Sequence, residues 1–543
     1  MPELLAARVA AAVLGLPPPR ARRVTLRRDL PVRVRDGVTL RTDHYAPDLR
    51  RAPTLLIRTP YGRGGPVRAM GRLLAFSGFH TVVQSCRGTF GSGGSFDPLV
   101  HERDDGLDTI DWLRRQPWYG GAFGMFGASY QGFVQWAVAP EAGADLRAMV
   151  AAVTASATRE STYAGGGFSL DTVLTWVELL QAQRVPWLRR QVELKRGQPR
   201  LRAGLLHLPL READRVATGA TVRFFQEWLE HHGSGGGYWG PRVFDGRLAE
   251  VRAPVAMVTG WSDIFLPAQL ADYATLRAAG ARPQLTIGPW THGSPGLFVA
   301  TLREGVRWLH RHLDPPAGVA PQPGRVRVHV GGGGGWRELP DWPPAATAVR
   351  WHLQAGGGLD PAVPAGADPD RFRYDPADPT PSPGGPVLVA QRAGPVDNRA
   401  VEARADVLTY TGGVLAAPVE VVGPVRAEVY VRSELAYFDV FVRVCDVEPS
   451  GRSVNVCDGF VRVRPGRFPV DGRRCCGSRW CCGPRRTGSP SVIGSVCRSA
   501  VVRIPAMPAI RVPVRRSARR SPCGRGSGRS SMTRVGRPRW CCR

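Results

Sequence analysis

The stretch G-A-F-G-M-F-G-A-S-Y-Q-G-F-V-Q-W-A-V-A (121–139) most narrows the folds open to this chain. A short apolar run enters a cluster of small residues and continues with helical spacing. It predicts a buried strand, a sharp turn at Ser129 and a helix. A strand that feeds a helix so abruptly belongs to a parallel sheet with helices packed on its faces. The flanking sequence agrees. P-T-L-L-I-R-T-P-Y-G (53–62) and F-H-T-V-V-Q-S (79–85) predict further buried strands, and residues 101–116 an amphipathic helix through Leu107, Ile110, Trp112 and Leu113. Residues 155–245 then read as helical, with V-L-T-W-V-E-L-L-Q and F-F-Q-E-W-L-E and no clear strand. Strands resume at V-A-M-V-T-G-W (255–261) and L-T-I-G-P-W (285–290), followed by a helix over 301–313 and the linker P-P-A-G-V-A-P-Q-P-G. Residues 325–465 carry short strands among many turns, including 325–330, 425–432 and 438–447, which predicts a β-sandwich.

Ser129 lies in Gly127-Ala128-Ser129-Tyr130-Gln131-Gly132. Small neighbours let the chain turn sharply enough to expose the serine oxygen, and the N–H of the following residue can help hold an oxyanion. The second glycine comes three residues after the serine, so G-x-S-x-G is not met, and the segment alone reads equally as a tight turn with an incidental serine. Two later sites add weight. Asp263, in G-W-S-D (260–263), follows one buried strand, and His292, in G-P-W-T-H-G (288–293), follows the next. Ser, Asp and His occur in the chain order of α/β-hydrolases, each at a strand's C-terminal end. Taken singly, Asp263 reads as a loop residue capping the next helix, and most of the 11 histidines are structural or solvated.

The body resembles the cocaine-esterase / X-prolyl dipeptidyl-peptidase family of acyl hydrolases. The residues that carry the resemblance are D-G-V-T-L (36–40), T-P-Y-G (59–62), R-G-T-F-G-S-G-G (87–94), the G-A-S-Y-Q-G turn, G-W-S-D and G-P-W-T-H-G, and it spans about 30–465. The late glycine is that family's own pattern. The resemblance implies Ser129 as nucleophile, His292 as base and Asp263 as orienting acid, with the Tyr61 side chain and the Tyr130 N–H as oxyanion donors. A packed loop tyrosine is the alternative for Tyr61. It also implies an α/β-hydrolase domain (22–154 and 246–315), a helical cap (155–245) and a jelly-roll β-sandwich (325–470). The expected substrate is a small ester or amide; an X-Pro dipeptidyl-peptidase activity is the alternative. No cofactor or metal is required. Trp112, Trp118, Trp136, Trp176, Trp228, Trp239 and Trp261 are pocket-lining candidates, most of them better explained as core.

The net charge of +28 would suggest nucleic acid, but its distribution argues otherwise. Residues 471–543 hold 18 Arg, no Lys, no Glu and one Asp, together with 8 of the 11 cysteines. The cysteine pairs are adjacent rather than C-x-x-C, a poor metal pattern. GC-rich DNA read out of frame yields Arg, Gly, Pro and Cys, and the tail can be recoded accordingly. After a one-base slip near residues 471–473, Trp480–Ser489 becomes compatible with V-V-L-W-P-T-A-H-R-F, Arg503–Val514 with A-H-P-R-Y-A-R-N-P-G-T-G and Ser531–Arg543 with V-H-D-P-G-R-P-S-A-L-V-L-P, all similar to the family's C-terminal sequence. The expectation is therefore a frameshifted, disordered tail beside an incomplete sandwich. The competing function class is an inactive binding protein whose basic tail engages polyanions; no specific nucleic acid is expected. The apolar N-terminus carries Glu3 and Arg8 and lacks a basic n-region, so it predicts a short helix stopped by Pro17-Pro18-Pro19 rather than a signal peptide. A cytoplasmic protein with no membrane span is expected, and a homo-oligomer is left open.

Overall fold

The structure, a computed structural model, describes residues 2–183, 187–233, 237–315, 324–366 and 369–465 together with the backbone of three strands beyond 479. Its centre is a ten-stranded sheet. In chain order the strands are β1 (Val24–Arg33), β2 (Thr39–Pro47), β3 (Thr54–Thr59), β4 (His80–Ser85), β5 (Phe123–Ala128), β6 (Leu146–Ala152), β7 (Val255–Ser262), β8 (Gln284–Thr291), β9 (Val326–Val330) and β10 (Gly335–Leu339). Across the sheet they run β1-β2-β4-β3-β5-β6-β7-β8-β9-β10. The block from β4 to β9 is parallel; β2 and β10 pair antiparallel to its two edges, and β1 pairs antiparallel to β2.

Side chains alternate across this sheet, which divides its core in two. Leu56, Met125, Met149, Ala151 and Met257 face one layer, packed against α3 (Glu102–Arg114), α4 (Tyr130–Val138) and α10 (Leu266–Ala278). Leu55, Ile57, Phe126, Ala148, Val150 and Ala256 face the other, against α1 (Pro2–Leu14), α2 (Gly65–Phe76) and α11 (Pro295–Leu313). Both faces being covered explains why β3 and β4 are buried at every position.

Between β6 and β7 the chain leaves the sheet through α5 (Thr158–Thr162), α6 (Leu170–Ala182), α7 (Trp187–Leu206), α8 (Ala213–Thr218) and α9 (Arg223–Glu230). Leu174, Val177, Leu201, Phe225 and Trp228 build a separate apolar core there, joined to Phe133 and Val134 of α4. These helices therefore sit over the segment that begins at Ser129. Among the described residues no helix is long and apolar enough to cross a membrane.

The C-terminal β-rich region holds β11 (His352–Gln354), β12 (Gly358–Asp360), β13 (Val407–Gly412), β14 (Val419–Val425), β15 (Val431–Ser433), β16 (Phe438–Val447), β17 (Ser453–Val463), β18 (Trp480–Cys482), β19 (Ser491–Cys497) and β20 (Ala500–Pro508). Two expectations change here. The strand at 325–330 does not open the sandwich. As β9 it pairs in parallel with β8, Leu285 opposite Val326, after the crossover helix α11, and so belongs to the hydrolase sheet. Second, the tail supplies backbone strands: β18 pairs with β15, β19 with β14, and β20 lies between β13 and β16. Disorder and an incomplete sandwich therefore do not extend to these three segments, of which β19 and β20 are rich in valine and isoleucine. The remainder of 471–543, including most of the recoded stretches, lies outside the described residues.

Candidate active site

Ser129 follows β5 directly and has φ 57° and ψ −123°. This is a left-handed conformation that costs a non-glycine residue about 1–3 kcal/mol and persists only when its surroundings impose it. They do so on both sides. The Ser129 N–H donates to Ala152 O at 2.9 Å, and the N–H groups of Gly132 and Phe133 donate to Ser129 O at 2.8 and 3.0 Å. The glycines are steric requirements. A β-carbon on Gly127 would lie 2.3 Å from Gln131 Cβ, and one on Gly132 would lie 2.4 Å from Thr154 Cγ2. The second glycine falls three residues after the serine because that is where α4 crosses the chain leaving β6.

Asp263 and His292 follow β7 and β8 as Ser129 follows β5, so the three residues gather above neighbouring C-terminal strand ends. His292 Nε2 lies 3.1 Å from Ser129 Oγ, and His292 Nδ1 lies 2.7 Å from Asp263 Oδ2. The Asp263 side chain is fully buried. Its Oδ1 accepts the Phe265 N–H at 2.8 Å, just ahead of α10, so the helix-capping alternative and the histidine contact hold together, one oxygen each. An Nδ1–H donated to Asp263 leaves the Nε2 lone pair facing the serine hydroxyl.

Tyr61 stands on the loop after β3, its hydroxyl beside the Ser129 side chain. Burial pushes its phenol above the ordinary tyrosine value, which keeps the O–H in place as a donor. The indole N–H of Trp176, on α6, donates to the same hydroxyl at 3.3 Å. Tyr130 follows the serine, so its backbone N–H opens α4 at the turn, while its ring stacks on Trp176 with centroids 6.2 Å apart.

Of the seven tryptophans raised from sequence, Trp176 is the one that bonds a candidate site residue. Trp136 is buried in the sheet core, and Trp118 stacks on His44 with Trp112 edge-on to it. Trp228 and Trp239 pack within the cap, and Trp261 donates to His329 O at 2.6 Å. The sandwich also reaches α6: Arg392 donates to Asp171 at 2.9 Å, near the start of the helix that carries Trp176. Among the described residues no group of three or more His, Cys, Asp or Glu side chains is arranged to hold a metal ion.

Residues 36–294 match the X-Pro dipeptidyl-peptidase (S15) family, and residues 317–468 match the X-Pro dipeptidyl-peptidase C-terminal non-catalytic domain. Cocaine esterase of Rhodococcus sp. is 30% identical over 484 residues, covering 80% of this chain and 82% of that protein. The chain belongs to this family. A putative serine esterase of Mycobacterium bovis is 23% identical, covering 80% of each protein. Among solved structures, an aminopeptidase from a marine-sediment Thaumarchaeota archaeon superposes with a TM-score of 0.69 at 20% identity over 89% of both chains. An α-amino acid ester hydrolase gives 0.65 at 21% identity, also over 89% of both. The cocaine-esterase / X-prolyl dipeptidyl-peptidase family consists of serine hydrolases, and this member is therefore an enzyme of that class rather than a binding protein. Its fold is the α/β-hydrolase sheet with a C-terminal β-rich domain.

Proposed function

We propose that Ser129, His292 and Asp263 act as a catalytic triad that cleaves carboxylic esters or amides through an acyl-enzyme. The observation that carries this is the position of His292, whose two ring nitrogens lie 3.1 Å from Ser129 Oγ and 2.7 Å from Asp263 Oδ2. In the first half-reaction His292 takes the proton of Ser129 as the oxygen attacks the acyl carbonyl, and Asp263 holds the ring and offsets the imidazolium charge. The Tyr61 hydroxyl and the Tyr130 N–H receive the negative oxygen of the tetrahedral intermediate. His292 then protonates the leaving alcohol or amine. Water, deprotonated by the same ring, attacks the acyl carbon and restores Ser129.

Esters are the favoured substrates, because the relatives that align over most of this sequence are named as esterases. The ring of Trp176, held against Tyr61 and Tyr130, suits an apolar group beside the scissile carbonyl. Hydrolysis of a nitrophenyl ester tests the proposal: turnover by the native chain that is lost in Ser129→Ala supports it, and turnover retained in that variant refutes it. The same assay with X-Pro and amino-acid amides decides between an esterase and the dipeptidyl-peptidase alternative.

A further inference from the structure

The Tyr130 ring packs against Tyr61 and Trp176, and its hydroxyl is buried in a small polar cluster. Its hydroxyl donates to Glu102 Oε1 at 2.8 Å and accepts the Leu99 N–H at 2.9 Å. Glu102 is 3% exposed and is the first residue of α3, where unpaired N–H groups favour a carboxylate. Its second oxygen lies 2.9 Å from Arg58 Nη1, which also donates to the Glu102 carbonyl at 2.8 Å. Arg58 is fully buried on β3, and its Nε donates to Gln84 Oε1 at 2.9 Å. Cys86 is buried beside Glu102 and Arg58. Burial, reinforced by the Glu102 charge, pushes its thiol well up, so it is a neutral side chain with no nucleophilic part.

Arg58 stands three residues ahead of Tyr61 on one segment, and Tyr130 carries the other candidate oxyanion donor. One carboxylate therefore ties together the two stretches of backbone that present the donors. We propose that Glu102 is a positioning residue that braces β3 against α4 and thereby fixes the spacing of the Tyr61 hydroxyl and the Tyr130 N–H. This rests on the oxyanion roles proposed above. A buried ion pair is a poor device for stability, since apolar packing of equal volume does as well or better. It is a good device for direction, because Glu102 faces Tyr130 on one side and Arg58 on the other. A second, neutral tie runs parallel: Gln131 Nε2 and the Tyr61 N–H both donate to Thr59 Oγ1 at 3.1 Å.

Tyr130→Phe tests the brace while keeping the ring, the backbone N–H and the Arg58–Glu102 pair. The expected result is a kcat lowered about tenfold or more, with KM changed by less than about twofold, because small displacements of a positioned group act on the transition state. Glu102→Gln should act in the same direction, and the double variant should fall no further than the worse single variant. Unaltered kcat in Tyr130→Phe, a rise in KM alone, or effects that multiply in the double variant would each overturn the proposal. Ser129→Ala measured alongside separates the two levels. Residual turnover there removes the triad, whereas an inactive Ser129→Ala beside a fully active Tyr130→Phe removes only the brace.

Discussion

Asp263 reaches His292 with one carboxylate oxygen, at 2.7 Å from Nδ1, and spends the other on the Phe265 N–H at 2.8 Å. The carboxylate cannot rotate without losing one of these bonds, so it dictates which imidazole nitrogen carries the proton. Asp263→Asn keeps the shape but can present an amide N–H to Nδ1, favouring the wrong tautomer. A fall in kcat of about 10⁴-fold is expected with the fold retained. Ester turnover and circular dichroism on the same sample check it.

Tyr61 holds its hydroxyl beside Ser129, and its backbone N–H donates to Thr59 Oγ1. Tyr61→Phe deletes the proposed oxyanion donor and leaves the ring edge-on to Tyr130. kcat should drop about 10²–10³-fold with a small change in KM. A loss confined to KM would assign Tyr61 to ground-state binding instead.

Gly132 has no room for a methyl group, because its β-carbon would stand 2.4 Å from Thr154 Cγ2. Gly132→Ala should destabilise the enzyme by about 1–3 kcal/mol and lower turnover by shifting Ser129. Adding Thr154→Gly removes the obstructing side chain and should restore part of the melting temperature. Thermal unfolding of the single and double variants reads this out.

Asp272 is buried on α10 and accepts the Ser156 N–H at 2.8 Å and the Ser156 hydroxyl at 2.6 Å. Burial lifts its carboxyl from 3.8 to about 7. The folded state thus holds this proton more tightly than the unfolded chain. Stability from this group is complete below pH 3.8 and is lost as pH rises through about 7. Asp272→Asn mimics the protonated form, so its melting temperature should decline less than that of the native enzyme over this window. Parallel slopes would contradict the assignment.

The recoded tail makes a prediction about DNA. The gene should contain an open reading frame that continues past the slip near residues 471–473 and encodes the V-V-L-W-P-T-A-H-R-F-like segment. Sequencing decides it, and stop codons in that frame would end the proposal. A chain made from the corrected frame should give more soluble enzyme than the present one.

The arrangement of strands, serine, aspartate and histidine was legible because each residue sits beside a local signal. A buried strand, small neighbours and a turn mark each position, and the chain order adds a global constraint. The place of β9 was not legible. Val326–Val330 alternates buried and half-buried positions, and that pattern looks the same in either sheet until its partner strand is known. Nor could sequence separate Glu102 from an ordinary exposed glutamate at a helix start, since its burial follows from where α3 lands against β3 and α4. Trp176 stood among seven tryptophans for the same reason. Its contact with Tyr61 joins residues 115 apart in the chain.

The position of β20 has a consequence for synthesis. Residues 500–508 pair with β13 on one side and β16 on the other, so they join the two halves of the six-stranded sheet. The hydrolase sheet needs nothing beyond Leu339 for its pairing and can form while translation continues. The second sheet stays in two pieces until the ribosome has passed residue 508, and in that interval the edges of β13 and β16 are open to other chains. Chains that stop short of residue 508 should therefore aggregate more readily than the full chain.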